Sequence, residues 1–365
     1  MIRIFLRSAA VALLTVATVD AAQIRTADPA TLGAAGWTAI DEKRFGDALE
    51  AFGRALALRK NDPVLYAGAG VAAFMLGQHA EAQTWLERAL KLAPQYADVS
   101  MLLGELHYRA GRVEEAIATY EAALKYSPSD AALEEKLAKW KADARLRAAS
   151  YESRGAHFRV LFQGPADELI ARRAVELLEG AYWRVGGVLT RYPEHATPVV
   201  LYTQEQFRDV TRSPEWAAGS YDGTIRIPMR GALEQPEELD RILTHEFVHA
   251  IVASIGGPNV PAWLNEGLAS ILEPAGAAEI ATSGRAGSRL PLTRLERGFS
   301  SLSAQDARGA YAQSAAAVRK MMQLRGAYAI VSLLEDLGRG VSFDSAFQQR
   351  IAMRYEEFQT LIGQD

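Results

Sequence analysis

Thr244-His245-Glu246-Phe247-Val248-His249-Ala250 sets two of the chain's six histidines four positions apart, with a glutamate directly after the first. On a helix, residues i and i+4 share one face, about one turn apart. Two imidazoles placed that way can hold one tetrahedral zinc ion. Glu246 then falls beside the metal rather than on it, where it can take a proton from zinc-bound water. The chemistry on offer is metal-assisted hydrolysis. A surface helix carrying these three residues by coincidence would read the same. Leu239, Ile242, Leu243, Val248, Ile251 and Val252 argue against it, because their spacing predicts a buried helix, where an unpaired polar ring is costly.

A third ligand follows. Gly256-Gly257-Pro258-Asn259 breaks the helix, and Pro261 can open another. A helix, a sharp turn and a second helix can return Glu266 to the histidines. Two His and one Glu, with a fourth position left for water, make a catalytic rather than a structural zinc set. Taken alone, Glu266 would read as an acidic residue favoured by the helix dipole. Glu273, two turns further on, could accept from a histidine N–H, but a surface charge at the helix end is the expectation.

His245-Glu246-x-x-His249 followed by Trp263-Leu264-Asn265-Glu266-Gly267-x-Ala269 resembles the gluzincin metallopeptidases. The metzincin pattern is absent, since Val252 and Ile255 stand where its glycine and third histidine would be. The resemblance implies His245, His249 and Glu266 as ligands of one zinc ion and Glu246 as general base. It also implies a Tyr or His from a downstream helix near the developing oxyanion. Tyr311 matches that pattern in order along the chain, and a packing tyrosine is the alternative. Aminopeptidase-type members carry a Gly-Ala-Met-Glu-Asn segment upstream, whereas Gly219 to Ile227 here contains no glutamate, so aminopeptidase specificity is not expected. The chain is more similar to peptidase MA-like domains joined to tetratricopeptide repeats, over roughly residues 155–365.

The rest of the chain must position these groups. Its 365 residues are 49% hydrophobic, enough for two domains with separate cores. A net charge of −4 argues against nucleic acid as a partner. Cysteine is absent, which excludes disulfides and thiolate zinc sites. Arg3 and Arg7 precede an uncharged, mostly apolar run from Ser8 to Val19, and Val19-Asp20-Ala21 offers small residues for cleavage. Residues 1–21 are therefore expected to be a signal peptide, with no stable membrane span once it is removed. Export without cysteine fits a periplasmic or secreted protein.

Ala48, Ala82 and Ala116 recur at a step of 34 residues. Gly36, Gly70 and Gly104 keep the same step, as do Ala55, Ala89 and Ala123. Phe52, Leu86 and Tyr120 share one slot. Small residues at fixed places let paired helices approach, and the larger apolar residue fills the space between pairs. This is the tetratricopeptide pattern, expected over residues 29–149 as three repeats plus a capping helix at 131–149. Such an array makes a groove for a protein or peptide partner; a rigid spacer or dimer surface is the alternative.

A domain boundary is expected at Ser153-Arg154-Gly155. Strands are expected at His157–Phe162, Pro198–Tyr202 and Thr224–Ile227, the last as an edge strand beside the zinc cleft that could pair with an extended substrate. An amphipathic helix is expected over 167–190. Gly276 to Arg289 reads as a loop, and helices follow from about Ala310.

These readings converge on a mainly α chain with a small β-sheet. A tetratricopeptide solenoid precedes an α+β gluzincin-type domain at 155–365. The function expected is that of an exported zinc endopeptidase acting on a peptide or protein substrate, with a partner held by the repeats. The alternative is a repeat scaffold or adaptor of envelope assembly whose zinc domain has little or no turnover. An autoinhibited protease opened by a partner in the repeat groove is a third.

Overall fold

A computed structural model describes residues 28–193, 195–211, 219–229, 236–274, 290–299 and 302–364. The expected signal peptide and the loop Gly276 to Arg289 lie outside them. The described residues are mainly helical, with one small sheet. They form two compact units that divide after Leu137, apart from Arg109–Gly111, which group with the second.

The first unit contains α1 (Pro29–Asp41), α2 (Phe45–Leu58), α3 (Pro63–Met75), α4 (His79–Leu92), α5 (Ala97–Arg109) and α6 (Val113–Leu124). Local chemistry starts α1 and α3. Asp28 accepts hydrogen bonds from the N–H groups of Ala30 and Thr31, and Asp62 from that of Val64, each followed by a proline in the first turn. Phe52, Leu86 and Tyr120, the shared large slot of the repeat, are all buried. A Cβ on Gly36 would fall within 2.9 Å of three Phe52 ring atoms, so the small slot does admit the large one. The Tyr120 hydroxyl donates to the Met101 carbonyl, tying α6 to α5.

The expected capping helix is α7 (Ala131–Ala148). Residues 131–137 group with the first unit and 138–148 with the second, so the division falls inside this helix rather than at Ser153–Gly155. Ser153 and Arg154 belong instead to β1 (Tyr151–Arg154), a strand the sequence did not announce because its residues are polar and mostly exposed.

The sheet of the second unit runs in the order β1-β2-β3-β5-β4. It comprises β1, β2 (Phe158–Phe162), β3 (Thr197–Tyr202), β4 (Ser220–Tyr221) and β5 (Ile225–Pro228). The pairs β2–β3 and β3–β5 are parallel; β1–β2 and β4–β5 are antiparallel. Hence β5 is not the edge strand that Thr224–Ile227 was expected to supply. Tyr221 and Ser220 pair outside it, and β4 forms that edge. Helix α8 (Glu168–Leu189) links β2 to β3 and packs on the sheet. Val199 and Leu201 face the main core with Phe158, Val160, Ile225 and Ile227. Val200 and Tyr202 face the other way, with Phe207 and Val210 from α9 (Gln204–Thr211) and Leu146 from α7. Both faces are covered, which is why Thr197–Tyr202 reads as a nearly continuous apolar run.

The remaining helices are α10 (Pro236–Gly256), α11 (Ala262–Leu272), α12 (Ala304–Gly338), α13 (Phe343–Ile351) and α14 (Tyr355–Gln364). Helix α12 is interrupted at Gly326, whose φ of 76° breaks the helical path. Among the described residues no helix is long and apolar enough to cross a membrane.

Candidate metal centre

Helix α10 carries Glu238, Arg241, His245 and His249 at steps of three and four, which puts them along one face. Leu239, Leu243, Phe247 and Ile251 sink into the core, so packing fixes the roll of the helix and aims the histidines. Helix α11 returns Glu266 to them, while its Trp263, Leu264 and Leu268 are buried. Gly267 lets α12 cross closely: a Cβ there would lie 2.5 Å from the Ser314 carbonyl oxygen and 2.6 Å from Val318. That crossing brings Tyr311 to the site.

One ligand atom each from His245, His249 and Glu266 lies within 4.8 Å of the other two. Glu266 Oε2 is 3.2 Å from His245 Nε2 and 3.4 Å from His249 Nε2. The other ring nitrogens are held as well. His245 Nδ1 is 2.9 Å from Glu273 Oε2, and His249 Nδ1 is 2.9 Å from Asn265 Oδ1. In a neutral ring, an Nδ1 that donates to an oxygen leaves the Nε2 lone pair for a cation, which would replace the Nε2 proton. Glu273 is therefore not the surface charge expected at the helix end. Its side chain is 7% exposed and Arg241 lies against it.

The charges fit the same picture. Burial opposes a charged His245 ring, yet the hydrogen bonds to Glu266 and Glu273 outweigh it and push the pKa up to about 10. Burial also opposes ionised Glu266, and the His249 and His245 rings outweigh it, holding the carboxyl far below its usual range. Burial raises the Glu246 carboxyl above the ordinary value, with the two rings only partly offsetting this. The cluster stabilises positive charge at the convergence of the two rings, which is what a divalent cation needs.

Glu246 stands beside the cluster and is 5% exposed. Its Oε2 is buried with no hydrogen-bond partner among the described residues. Such an oxygen is costly unless something that binds there donates to it. Against its Oε1 lies Gly219, where an added Cβ would come within 2.6 Å. The ring centroid of Tyr311 is 6.1 Å from that of His245 and 5.1 Å from that of Phe299, edge-on in both cases. Burial, then Glu266 and Glu246, raise the Tyr311 hydroxyl well above its ordinary pKa, so it keeps its proton.

All five residues singled out from the sequence thus converge. It under-read Glu273 and did not single out Asn265 and Arg241. Helical spacing was the available signal: Glu273 lies seven positions after Glu266, and Arg241 four before His245.

Comparison with known proteins speaks to the first unit. Two profiles described as tetratricopeptide repeat match residues 39–92 and 69–131. A curated relative, small glutamine-rich tetratricopeptide repeat-containing protein 2 of Mycosarcoma maydis, is 32% identical over 107 residues. That alignment covers 29% of this chain and 30% of the relative's length. Among solved structures, the first tetratricopeptide domain of Spaghetti bound to an HSP90 peptide is 20% identical. It covers 32% of this chain and 96% of that one, with a TM-score of 0.31. The Sgt2 domain from Aspergillus fumigatus, also 20% identical, covers 35% and 85%, with a TM-score of 0.32. The two profile matches together span residues 39–131, and in that stretch the chain carries tetratricopeptide repeats.

Proposed function

We propose that this chain is a zinc-dependent peptidase that engages a protein partner through its tetratricopeptide array. The observation that carries the hydrolytic half is the convergence of His245, His249 and Glu266 beside a buried Glu246 oxygen that has no hydrogen-bond partner among the described residues. The resemblance of His245-Glu246-x-x-His249 and Trp263-Leu264-Asn265-Glu266-Gly267 to the gluzincin motifs supports it. His245 and His249 would offer Nε2, and Glu266 a carboxylate oxygen, to one zinc ion. When bound, the ion supplies Lewis acidity that acidifies water and polarises a carbonyl. Glu246 accepts the proton of the attacking water on its carboxylate and passes it to the leaving amine nitrogen. Glu273 and Asn265 hold the rings in place through Nδ1. Tyr311, which keeps its proton, donates to the oxygen on which charge develops. The β4 edge next to Gly219 offers backbone groups to an extended peptide. The apolar run at residues 8–19 behind Arg3 and Arg7 supports export.

A second reading is a scaffold or adaptor with little or no turnover, and the comparisons favour it. The profile matches fall on the repeats, the curated relative is named for such repeats, and one similar domain was solved with an HSP90 peptide. They support a protein segment as the partner of the array. Metal analysis and a peptide-library assay on the wild type, Glu246→Gln and His249→Ala separate the readings. The peptidase predicts one zinc per chain in the wild type and Glu246→Gln, and less in His249→Ala. Hydrolysis should fall in Glu246→Gln by about 100-fold or more. A zinc-loaded wild type that captures a partner and cleaves nothing is the scaffold.

A further inference from the structure

We infer that Arg241 is a positioning residue of the metal centre, holding the carboxylate that orients His245. The inference rests on the zinc reading of the site. Glu273 directly follows α11, where the backbone turns extended (φ −70°, ψ 150°). Its carboxylate is not kept in place by a continuing helix. Two contacts fix it instead. One is His245 Nδ1 at 2.9 Å; the other is Arg241, whose Nη1 lies 3.3 Å from Oε2 and 3.4 Å from Oε1.

Arg241 is itself anchored. Its Nε donates to Glu238 Oε2 at 2.8 Å and its Nη2 to Glu238 Oε1 at 2.5 Å. That two-pronged geometry fixes the guanidinium plane, and the remaining Nη1 is left facing Glu273. The order along α10 is Glu238, Arg241, His245, so carboxylate, guanidinium and ligand stack along one face. A lysine could supply the charge but not the fork.

Charge balance points the same way. Three carboxylates, Glu246, Glu266 and Glu273, lie around the two rings and repel one another. A divalent ion offsets two negative charges, and Arg241, whose charge Glu238 shares, is the cation that faces the third. Without it, Glu273 sits at a chain exit, repelled from the centre and free to swing outward. His245 would then lose the acceptor that sets its tautomer and ring angle.

The test uses the full chain with Arg241→Met, Arg241→Lys, Glu273→Gln and the double variant Arg241→Met/Glu273→Gln. Zinc affinity is read by chelator competition at fixed pH, and ligand geometry by the visible spectrum of the cobalt-substituted protein. Arg241→Met should weaken zinc about 10- to 100-fold and shift the cobalt bands. Arg241→Lys should recover part of the affinity but not the spectrum. The double variant should bind no more weakly than Glu273→Gln alone, because Arg241 acts through Glu273. Should Arg241→Met fail to fold without metal, Arg241→Lys carries the test through the spectrum. Wild-type affinity and spectrum in the arginine variants, or additive losses in the double variant, overturn the inference while leaving the zinc reading intact. A wild type that binds no zinc overturns the zinc reading itself, and this inference with it.

Discussion

At Glu246 one carboxylate oxygen is buried without a hydrogen-bond partner among the described residues, and the wall against the other is a glycine backbone. A methyl group at Gly219 would sit 2.6 Å from Oε1 and 2.8 Å from Cγ, so the carboxylate would have to move. On the peptidase reading, because a shift of about 1 Å in a catalytic group can cost about 100-fold, Gly219→Ala should lower peptide hydrolysis on that scale. Zinc content should not change, since His245, His249 and Glu266 are untouched. Metal analysis beside turnover on one peptide checks this; full turnover would mean that Glu246 is not held where the proton must be taken. The three residues proposed to hold the ion were legible as a motif. His245 and His249 share a helix face by spacing alone, and Glu266 is 21 positions from His245, across a single turn. Glu273 was only half legible: helical spacing allows it to reach a histidine N–H, but does not give what buries it.

Among the elements, the sheet is held to α7 by a buried charge network that no local pattern encodes. Asp143 on α7 and Arg226 on β5 are fully buried and meet at 3.0 Å. The Tyr202 hydroxyl donates to Asp143 at 2.7 Å and accepts from Arg226 at 2.5 Å. Arg147 reaches both Asp143 and the Thr224 hydroxyl, and Arg226 also reaches Asp222. Breaking such a pair from one side leaves a buried charge, so Arg226→Met should destabilise the second unit by about 3–5 kcal/mol in urea unfolding. Asp143→Leu combined with Arg226→Met should be less damaging than Arg226→Met alone. A double variant as unstable as the sum of the single ones would show that the pair is not coupled.

Acid should act on the same network. Burial opposes the Asp143 charge, but Arg226 and Arg147 outweigh it and hold the carboxyl below its ordinary value. The folded pKa is thus below that of the unfolded chain, about 3.9. The network's contribution is full above that pH and lost as pH falls through the lower folded value. Below pH 4 the urea midpoint of the wild type should fall more steeply than that of Asp143→Asn. Parallel curves would exclude Asp143 as the group responsible. The two residues are 83 positions apart, and reading Thr224–Ile227 as a strand gives no means of pairing them.

For the whole molecule, two units with separate cores imply two separate responses. Zinc at about 100 times its dissociation constant should stabilise the unit that binds it by about 2.7 kcal/mol. Hydrogen exchange should then slow across α10 and α11 and remain unchanged across α2 to α4. Equal slowing in both, or in neither, would contradict a metal centre confined to the second unit.

What the sequence determined by itself was periodic or local. The repeat step, the caps at Asp28 and Asp62, and the helix–turn–helix from Glu246 to Glu266 all follow from contacts between near neighbours in the chain. Tertiary structure decided what depends on distant segments meeting. It placed β4 outside β5, divided α7 between two cores, paired Asp143 with Arg226 and set Arg241 against Glu273. A buried charge or a strand neighbour is chosen by the free energy of the assembled fold, and no single stretch of residues contains that information.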